Sequence, residues 1–98
     1  MADDALTFKV DLTRRLLCAE GHLRGIVAMV ERDADCESIV CQTMAVQGAL
    51  REVNRLILKQ YLDVCLRGRL QEPNVSAREK CLAEVVSLYQ LLGGKELV

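Results

Sequence analysis

The 98-residue chain is 51% hydrophobic and 3% aromatic, has no Trp and one Pro, and carries a net charge of −1. Strand formers are scarce, so this composition fits a single all-α domain over residues 1–98 better than a β fold or a disordered segment. The charge neither indicates nor excludes a nucleic-acid partner, because a basic stripe can coexist with acidic residues elsewhere.

The first predicted helix runs from about Thr7 to Glu31. Its apolar residues recur with a spacing of three and four, which places them on one face of a helix. This face is expected to pack against another helix. The apolar positions are Leu12, Leu16, Leu23, Ile26, Val27 and Val30.

A second helix is predicted after Asp33-Ala34-Asp35, which interrupts the apolar pattern. An Asp in this segment can cap the new helix, which continues to about Arg67. Such a long helix in so short a chain buries too little surface alone, so we expect self-association to a dimer and higher oligomer. Its apolar positions are Ile39, Val40, Val46, Leu50, Val53, Ile57 and Val64.

The third helix follows a predicted break at Gly68 and Gln71-Glu72-Pro73-Asn74. The segment Ser76-Ala77-Arg78-Glu79 has the spacing of a capping box, with Ser first and Glu three residues later. The helix is expected to continue to Gly93-Gly94. The sequence therefore predicts a three-helix chain with no repeat and no linker.

The N-terminal segment and the apolar runs indicate the compartment. The segment from Met1 to Val10 contains Asp3, Asp4 and Lys9, and it lacks the apolar run of a signal peptide. The longest uncharged stretch, Ser38 to Leu50, is too short to cross a bilayer. We expect a cytoplasmic protein without a membrane partner.

Two of the five cysteines, Cys36 and Cys65, lie 29 residues apart in the second helix. That spacing returns to within about 20° of the starting direction but separates the residues by about 43 Å, so one helix cannot join them. Two chains packed antiparallel about Leu50 and Arg51 could place Cys36 of one beside Cys65 of the other. An odd number of cysteines without an export signal indicates reduced thiols. The pair predicts an intersubunit dithiol.

Two further residues are expected near Cys65. If the third helix folds back about Pro73, Cys81 lies level with Cys65, since each is eight residues from the turn. Tyr61 precedes Cys65 by one helical turn and shares its face. Both Cys81 and Tyr61 are therefore predicted to line the site.

The other two cysteines, Cys18 and Cys41, are predicted to be packing residues. A free Cys in a helical core is usually a small buried hydrophobe. Cys41 follows Cys36 by five residues, about 140° around the helix, so it is not expected to share the site.

An ordered set of residues spans most of the chain: Gly21-His22-Leu23, Gly25-Ile26-Val27, Met29, Glu31, Asp33-Ala34, Cys36, Ala45-Val46-Gln47, Leu50, Asn54-Arg55, Leu58, Leu62 and Cys65. Over about residues 12–90 the sequence resembles the CsoR/RcnR family of small bacterial repressors, which sense copper, nickel, formaldehyde or persulfide. The resemblance implies a three-helix protomer and an antiparallel dimer that assembles into a dimer of dimers. It also implies that operator DNA is released when an inducer reaches the intersubunit thiols.

The departures from the family pattern bear on the inducer. Copper sensors have a histidine four residues before the second cysteine, where this chain has Tyr61. Their outer shell includes a tyrosine before the first cysteine and a glutamate on the third helix, which fall on Asp35 and Cys81. Nickel or cobalt sensing is poorly supported, because His22 is the only histidine. The pattern of two cysteines without that histidine is similar to the persulfide-responsive branch, CstR.

In that branch, the resemblance implies sulfur transfer at two thiols. The thiolate is favoured at a helix N-terminus, so Cys36 is expected to be the attacking thiol and Cys65 the resolving thiol. No cofactor is then required, and a sulfur-transfer donor is an expected partner. The alternative is a Cu(I)-sensing repressor with Cys36, Cys65 and Cys81 as ligands.

Rivals of other classes are a helical interaction module with no DNA partner, and a small thiol enzyme. The enzyme is the weakest hypothesis, because no general base accompanies the thiols and no Gly-rich or acidic constellation is present. Asp35 is predicted to be a helix cap as well as a site-lining residue. His22 is interpreted as a polar packing or DNA-surface residue, not a metal ligand.

Basic residues form stripes on the first two predicted helices. Repeated across a tetramer, such stripes could neutralise phosphates and give salt-dependent binding to double-stranded operator DNA. The alternative is that the basic residues are solvated and paired with Glu20, Glu52 and Asp63. The residues expected to bind DNA are Arg14, Arg15, Arg51, Arg55 and Lys59, with Arg24 as a further positive charge.

Overall fold

The computed structural model describes residues 2–68 and 73–93. These residues form three α-helices and, across the same two ranges, no strand. The helices are α1 (Ala2–Glu31), α2 (Cys36–Arg67) and α3 (Val75–Leu91). The predicted all-α class and the number of helices are confirmed. α1 begins before the predicted Thr7, because the preceding sequence contains no Gly or Pro that would stop a helix.

The turn between α1 and α2 is fixed by backbone hydrogen bonds. Asp33 has a φ of 57°, a left-handed conformation that Asp tolerates better than most residues. The N–H of Ala34 then donates to the carbonyl of Met29 at 2.9 Å, which closes the end of α1. The predicted break at Asp33-Ala34-Asp35 is therefore confirmed.

Asp35 caps the N-terminus of α2, as predicted. Its carboxylate accepts hydrogen bonds from the Ser38 hydroxyl at 2.8 Å and from the Ser38 backbone N–H at 3.0 Å. These bonds, the hydroxyl's first, hold the pKa of the Asp35 carboxyl below its ordinary value. The charged cap also lies at the positive end of the helix dipole, which favours it further.

The start of α3 differs from the prediction. The cap is Asn74, whose side-chain oxygen accepts from the backbone N–H of Ser76 at 2.9 Å and of Ala77 at 3.3 Å. The predicted capping box at Ser76-Ala77-Arg78-Glu79 is wrong, because the helix begins two residues earlier than Ser76 would allow. Of the predicted break, Gln71 and Glu72 lie outside the described residues.

The end of α3 agrees with the predicted stop at glycine. The helix ends at Leu91, and the N–H of Gly93 donates to the carbonyl of Gln90 at 3.0 Å. Gly93 has a φ of 91°, a conformation that is costly for residues with a Cβ. Gly94 lies outside the described residues.

The chain divides into two compact units, Met1–Val53 and Asn54–Val98. Within the described residues, the buried side chains of the first are Ala19, Val46 and Val53, and those of the second are Cys65 and Cys81. The single-domain organisation over 1–98 stays a prediction. No helix in residues 2–68 or 73–93 has the length and apolar character needed to cross a bilayer.

Many apolar side chains of the predicted helix faces are exposed in the single chain. On α1, Val27 is 56% exposed and Val30 is 55% exposed, and on α2, Val40 is 55% exposed. Exposed apolar surface on this scale is typical of a chain that packs against another chain. The predicted apolar faces are thus only partly buried within one protomer.

The two candidate caps of α3 can be separated by mutation. We expect Asn74→Ala to lower the free energy of unfolding by about 1 kcal/mol, because two backbone N–H groups are left without their acceptor. Ser76→Ala is the matched control and should change it by less than about 0.5 kcal/mol. Urea unfolding at fixed protein concentration, followed by circular dichroism, measures both. A larger decrease in the free energy of unfolding for Ser76→Ala than for Asn74→Ala would support the capping box instead.

The Asp35 cap should make stability depend on pH. Because its pKa is lowered by folding, its contribution is present above the unfolded pKa of about 3.9 and disappears as the pH falls through the lower folded value. The difference in unfolding midpoint between the native chain and Asp35→Ala should therefore shrink in acid. Asp35→Asn keeps an acceptor that does not titrate, so its advantage over Asp35→Ala should be constant. A parallel decrease in both comparisons would contradict the assignment.

Candidate functional site

Cys65 of α2 and Cys81 of α3 are joined by a disulfide bond within the second unit. Their Cα atoms are 6.3 Å apart, inside the range that a disulfide can span. Both side chains are buried, Cys65 with 1% and Cys81 with 0% of its surface exposed. The prediction that Cys81 lies level with Cys65 is confirmed.

The oxidation state of this pair differs from the sequence-based expectation. All five cysteines were expected to be reduced, whereas the structure bonds two and leaves Cys18, Cys36 and Cys41 free. The expectation is wrong for Cys65 and Cys81, because a count of cysteines ignores how the turn between two helices aligns particular residues. The signal that could have found the pair was their equal distance from Pro73.

Cys36 is the first residue of α2 and follows the Asp35 cap directly. It is free and exposed, so a solute can reach its sulfur atom directly. Its proposed meeting with Cys65 needs a second chain, so that pairing stays a prediction. The site-lining role of Asp35 likewise stays a prediction.

Tyr61 is half-buried and lines an open groove in the second unit. The groove also contains Lys80, Glu84 and Ser87 of α3. Tyr61 precedes Cys65 by four residues on α2, so the ring occupies the next turn of that helix. At this position the chain supplies a phenol, which is a poor ligand for a soft metal ion.

The potential metal ligands do not form a cluster in the described part of the chain. There, no group of three or more His, Cys, Asp and Glu side chains is close enough to hold a metal ion. A thiol that is already bonded to another sulfur cannot ligate as a thiolate. A site with Cys36, Cys65 and Cys81 as ligands therefore needs a second chain and a reduced Cys65–Cys81 pair.

Cys18 and Cys41 are exposed, so the single chain does not bury them as the packing prediction expected. Cys18 lies on α1 beside Arg14, Arg15 and His22, with which it lines a small pocket of the first unit.

Arg14 and Arg15 share one acidic partner, Asp11, one turn earlier on α1. The Asp11 carboxylate accepts from Arg14 at 2.8 Å and from Arg15 at 3.1 Å. The two hydrogen bonds, that of Arg14 first, lower the pKa of Asp11, and the same contact raises the pKa of Arg14. Sequence reasoning missed Asp11, although its spacing of three and four residues from the arginines was the signal.

The other basic residues that were predicted to supply positive charge, Arg24, Arg51, Arg55 and Lys59, lie on exposed helix surface. Arg24 pairs with Glu20 at 2.9 Å, as the solvated alternative predicted. Arg51, Arg55 and Lys59 of α2 are exposed. Their contact with DNA stays a prediction.

His22 connects α1 to α2 in the first unit. Its Nε2 donates to the side-chain oxygen of Gln42 at 2.7 Å. This contact agrees with the polar packing alternative, and the alternative of a DNA-surface residue stays a prediction. Nothing in the sequence pattern had indicated Gln42 as the partner.

The comparisons with known proteins agree on one family. A model of the family described as metal-sensitive transcriptional repressor matches residues 9–91. The chain is 34% identical over 82 residues to the copper-sensing transcriptional repressor CsoR of Mycobacterium ulcerans, covering 84% of this chain and 70% of that protein. It is 37% identical over 84 residues to the copper-sensing transcriptional repressor RicR of Mycobacterium tuberculosis, covering 86% and 88%. For the Bacillus subtilis CsoR the identity is 30% over 82 residues, covering 84% and 78%.

A solved structure has the same fold. The nickel-responsive transcriptional regulator InrS superposes with a TM-score of 0.74 at 35% identity, covering 84% of this chain and 89% of that one. The resemblance found in the sequence is confirmed at the level of the family. The chain belongs to the CsoR/RcnR family of metal-sensitive transcriptional repressors, whose members are regulators and not enzymes.

Proposed function

We propose that this repressor binds double-stranded operator DNA and releases it when the thiols of Cys36 and Cys65 are modified by reactive sulfur species, namely persulfides or polysulfides. The observation that carries the proposal is the sulfur–sulfur bond that Cys65 already makes within its own chain. A cysteine held where a second sulfur is in bonding range is suited to oxidation by two electrons. A repressor of this kind acts in the cytoplasm, where operator DNA lies.

The residues around Cys65 support a sulfur inducer over a metal. Tyr61 brings a phenol to the turn before Cys65, and the third-helix position level with it is another thiol. Cu(I) prefers thiolate and imidazole ligands, and the only imidazole of the chain, His22, is hydrogen-bonded to Gln42. The phenol of Tyr61, the thiol of Cys81 and the hydrogen-bonded imidazole of His22 thus favour covalent chemistry between sulfur atoms over metal binding.

We further propose an antiparallel dimer that assembles into a dimer of dimers. The exposed apolar residues of α1 and α2 support it, because a monomer rarely leaves so much apolar surface uncovered. An antiparallel partner is also the arrangement in which Cys36 and Cys65, 29 residues apart on α2, can meet. Each dimer would hold two equivalent thiol sites.

The DNA surface is assigned to the exposed arginines and Lys59. Arg14 and Arg15 lie on one turn of α1, and Asp11 draws both guanidinium groups toward one point. Phosphate is the ligand class that such guanidinium groups bind best, often through two hydrogen bonds. Arg51, Arg55 and Lys59 would extend this surface along α2. A tetramer repeats it four times, so a chain with a net charge of −1 can still attract a polyanion.

Cu(I) is a second candidate inducer, favoured by the copper-sensing relatives. The ligands would be Cys36, Cys65 and Cys81. This alternative requires the Cys65–Cys81 bond to be reduced first, because only thiolates ligate the ion. In the leading proposal no resident metal or cofactor is needed.

The proposal predicts that a persulfide weakens DNA binding through Cys65. With reduced protein and DNA from upstream of its own operon, glutathione persulfide should raise the Kd at least about tenfold, a typical coupling for an inducer. Cys65→Ser should bind DNA normally and fail to show this response. Cys41→Ser, an exposed free cysteine on the same helix, is the matched control and should respond fully. Fluorescence anisotropy at constant salt measures each Kd.

Two results would contradict the sulfur assignment. An undiminished response of Cys65→Ser would remove Cys65 from the sensing site. Release by stoichiometric Cu(I), with no effect of persulfide, would assign the repressor to copper.

The DNA surface predicts a change in salt dependence. Arg14→Ala should weaken binding and reduce the slope of log K against log salt by about 1 for each DNA phosphate that the variant no longer neutralises. Lys80→Ala on α3 removes an equal charge from a helix to which no DNA contact is assigned, and should leave the slope unchanged. Equal slopes for Arg14→Ala and the native chain would place the DNA elsewhere.

A further inference from the structure

We infer that Cys81 is the resolving thiol for Cys65 within the same chain, so that a reactive sulfur species is recorded as an intrachain Cys65–Cys81 disulfide. This inference rests on the proposed release of DNA by reactive sulfur species, and it replaces Cys36 with Cys81 as the thiol that reacts with modified Cys65. It departs from a bridge between Cys36 of one chain and Cys65 of another. Cys36 then remains a free thiol at the end of the reaction.

Proximity is the first argument. Cys65 and Cys81 are bonded in the structure, and the two helices set their Cα atoms 6.3 Å apart. The sequence separation is only 16 residues, so the connecting segment keeps the second thiol at a high effective concentration. Cys36 lies on the same helix as Cys65 but 29 residues away, and reaches a Cys65 only in an assembled dimer.

Burial is the second argument. Cys65 and Cys81 are the buried residues of the second unit within its described part, whereas Cys36 is exposed. The persulfide donor reaches Cys65 when the helix pair opens locally. When the pair closes again, Cys81 contacts the modified sulfur and bulky external thiols are excluded. The closing of the helix pair forms the core of this unit. It therefore also determines that Cys81, and not an external thiol, attacks the modified sulfur of Cys65.

The reaction balances with an organic persulfide, RSSH, as the oxidant. The Cys65 thiolate attacks the outer sulfur of RSSH, which forms Cys65–S–SH and expels RS⁻. The Cys81 thiolate then attacks the inner sulfur of Cys65–S–SH, which forms the Cys65–Cys81 bond and expels HS⁻. Two thiols give up two electrons, the sulfane sulfur gains them, and the two protons of the thiols pass to RS⁻ and HS⁻.

The intrachain bond also excludes the competing uses of Cys65. While it is present, Cys65 has no thiolate for Cu(I) and no free sulfur for a bridge to Cys36. A chain with a third thiol at position 81 thus responds to a reactive sulfur species without a covalent link between its subunits. The response can be reversed by a reductant one chain at a time.

The connectivity of the product tests this inference. The full-length reduced protein is treated with glutathione persulfide without oxygen, its remaining thiols are alkylated, and the product is analysed on a non-reducing gel, by intact mass and by peptide mapping. The native chain should stay a single chain on the gel, lighter by two hydrogen atoms before alkylation. Peptides containing Cys65 and Cys81 should be linked, and Cys36 should be alkylated.

Variants at positions 81 and 41 give the matched comparison. Cys81→Ser should accumulate Cys65 persulfide and cross-linked dimers through Cys36, at least about tenfold more than the native chain. Cys81→Ala repeats the test with an apolar residue in the buried position, and circular dichroism reports whether each variant is helical. Cys41→Ser should behave as the native chain does.

Two outcomes would overturn the inference. Native dimers linked between Cys36 and Cys65, with Cys81 alkylated and DNA released, would overturn it while leaving the proposed function intact. Persulfide treatment that forms no bond at Cys65 would overturn it too, and unchanged DNA binding in the same samples would show that the proposed function had failed with it.

Discussion

The contact between Cys65 and Cys81 is the interaction on which the second unit depends. In that unit's described residues, these two sulfur-bearing side chains are the buried ones. The packing of α3 on α2 and the oxidation state of the pair are therefore not separable properties. A chemical change at either sulfur alters the contact that holds the two helices together. In the proposed function, the sulfur atoms that react with the inducer are also the buried atoms of this unit, which would couple the inducer directly to helix position.

The length of the helices imposes the second constraint. α1 and α2 contain 30 and 32 residues, and many of their apolar side chains are exposed in the single chain. Val46 and Val53 are buried, while Val27, Val30 and Met44 remain exposed. Covering the exposed residues with a second chain would complete the thiol site and the interior at once. We therefore expect the assembly of the chains and the formation of the sensing site to depend on the same contacts.

The sequence was informative where local chemistry decides the structure. The helix ends at Glu31 and Arg67 and the Asp35 cap were predicted correctly, because turn residues and apolar periodicity act over a few positions. The alignment of Cys81 with Cys65 was also predicted, since it needs only a turn near Pro73. These features depend on short-range geometry.

Other features could not be predicted from the sequence, because they depend on distances and contacts that the sequence does not contain. Asn74 and Ser76 are both good capping residues, and the choice between them depends on where the chain leaves the preceding turn. The oxidation of Cys65 depends on a distance between two helices that composition does not contain. The family could be recognised from ordered motifs, whereas the inducer depends on a few side chains around two sulfur atoms.

The pairing of Asp11 with two arginines has a consequence for DNA recognition. In the free repressor its carboxylate occupies the guanidinium groups of Arg14 and Arg15 much as a phosphate oxygen would. Any phosphate that binds either arginine must first displace this internal competitor. DNA of any sequence carries the same density of phosphates, so this competition weakens the binding of operator and random DNA alike. On the proposed DNA surface, Asp11 would therefore be an internal competitor that lowers the affinity of both arginines for phosphate.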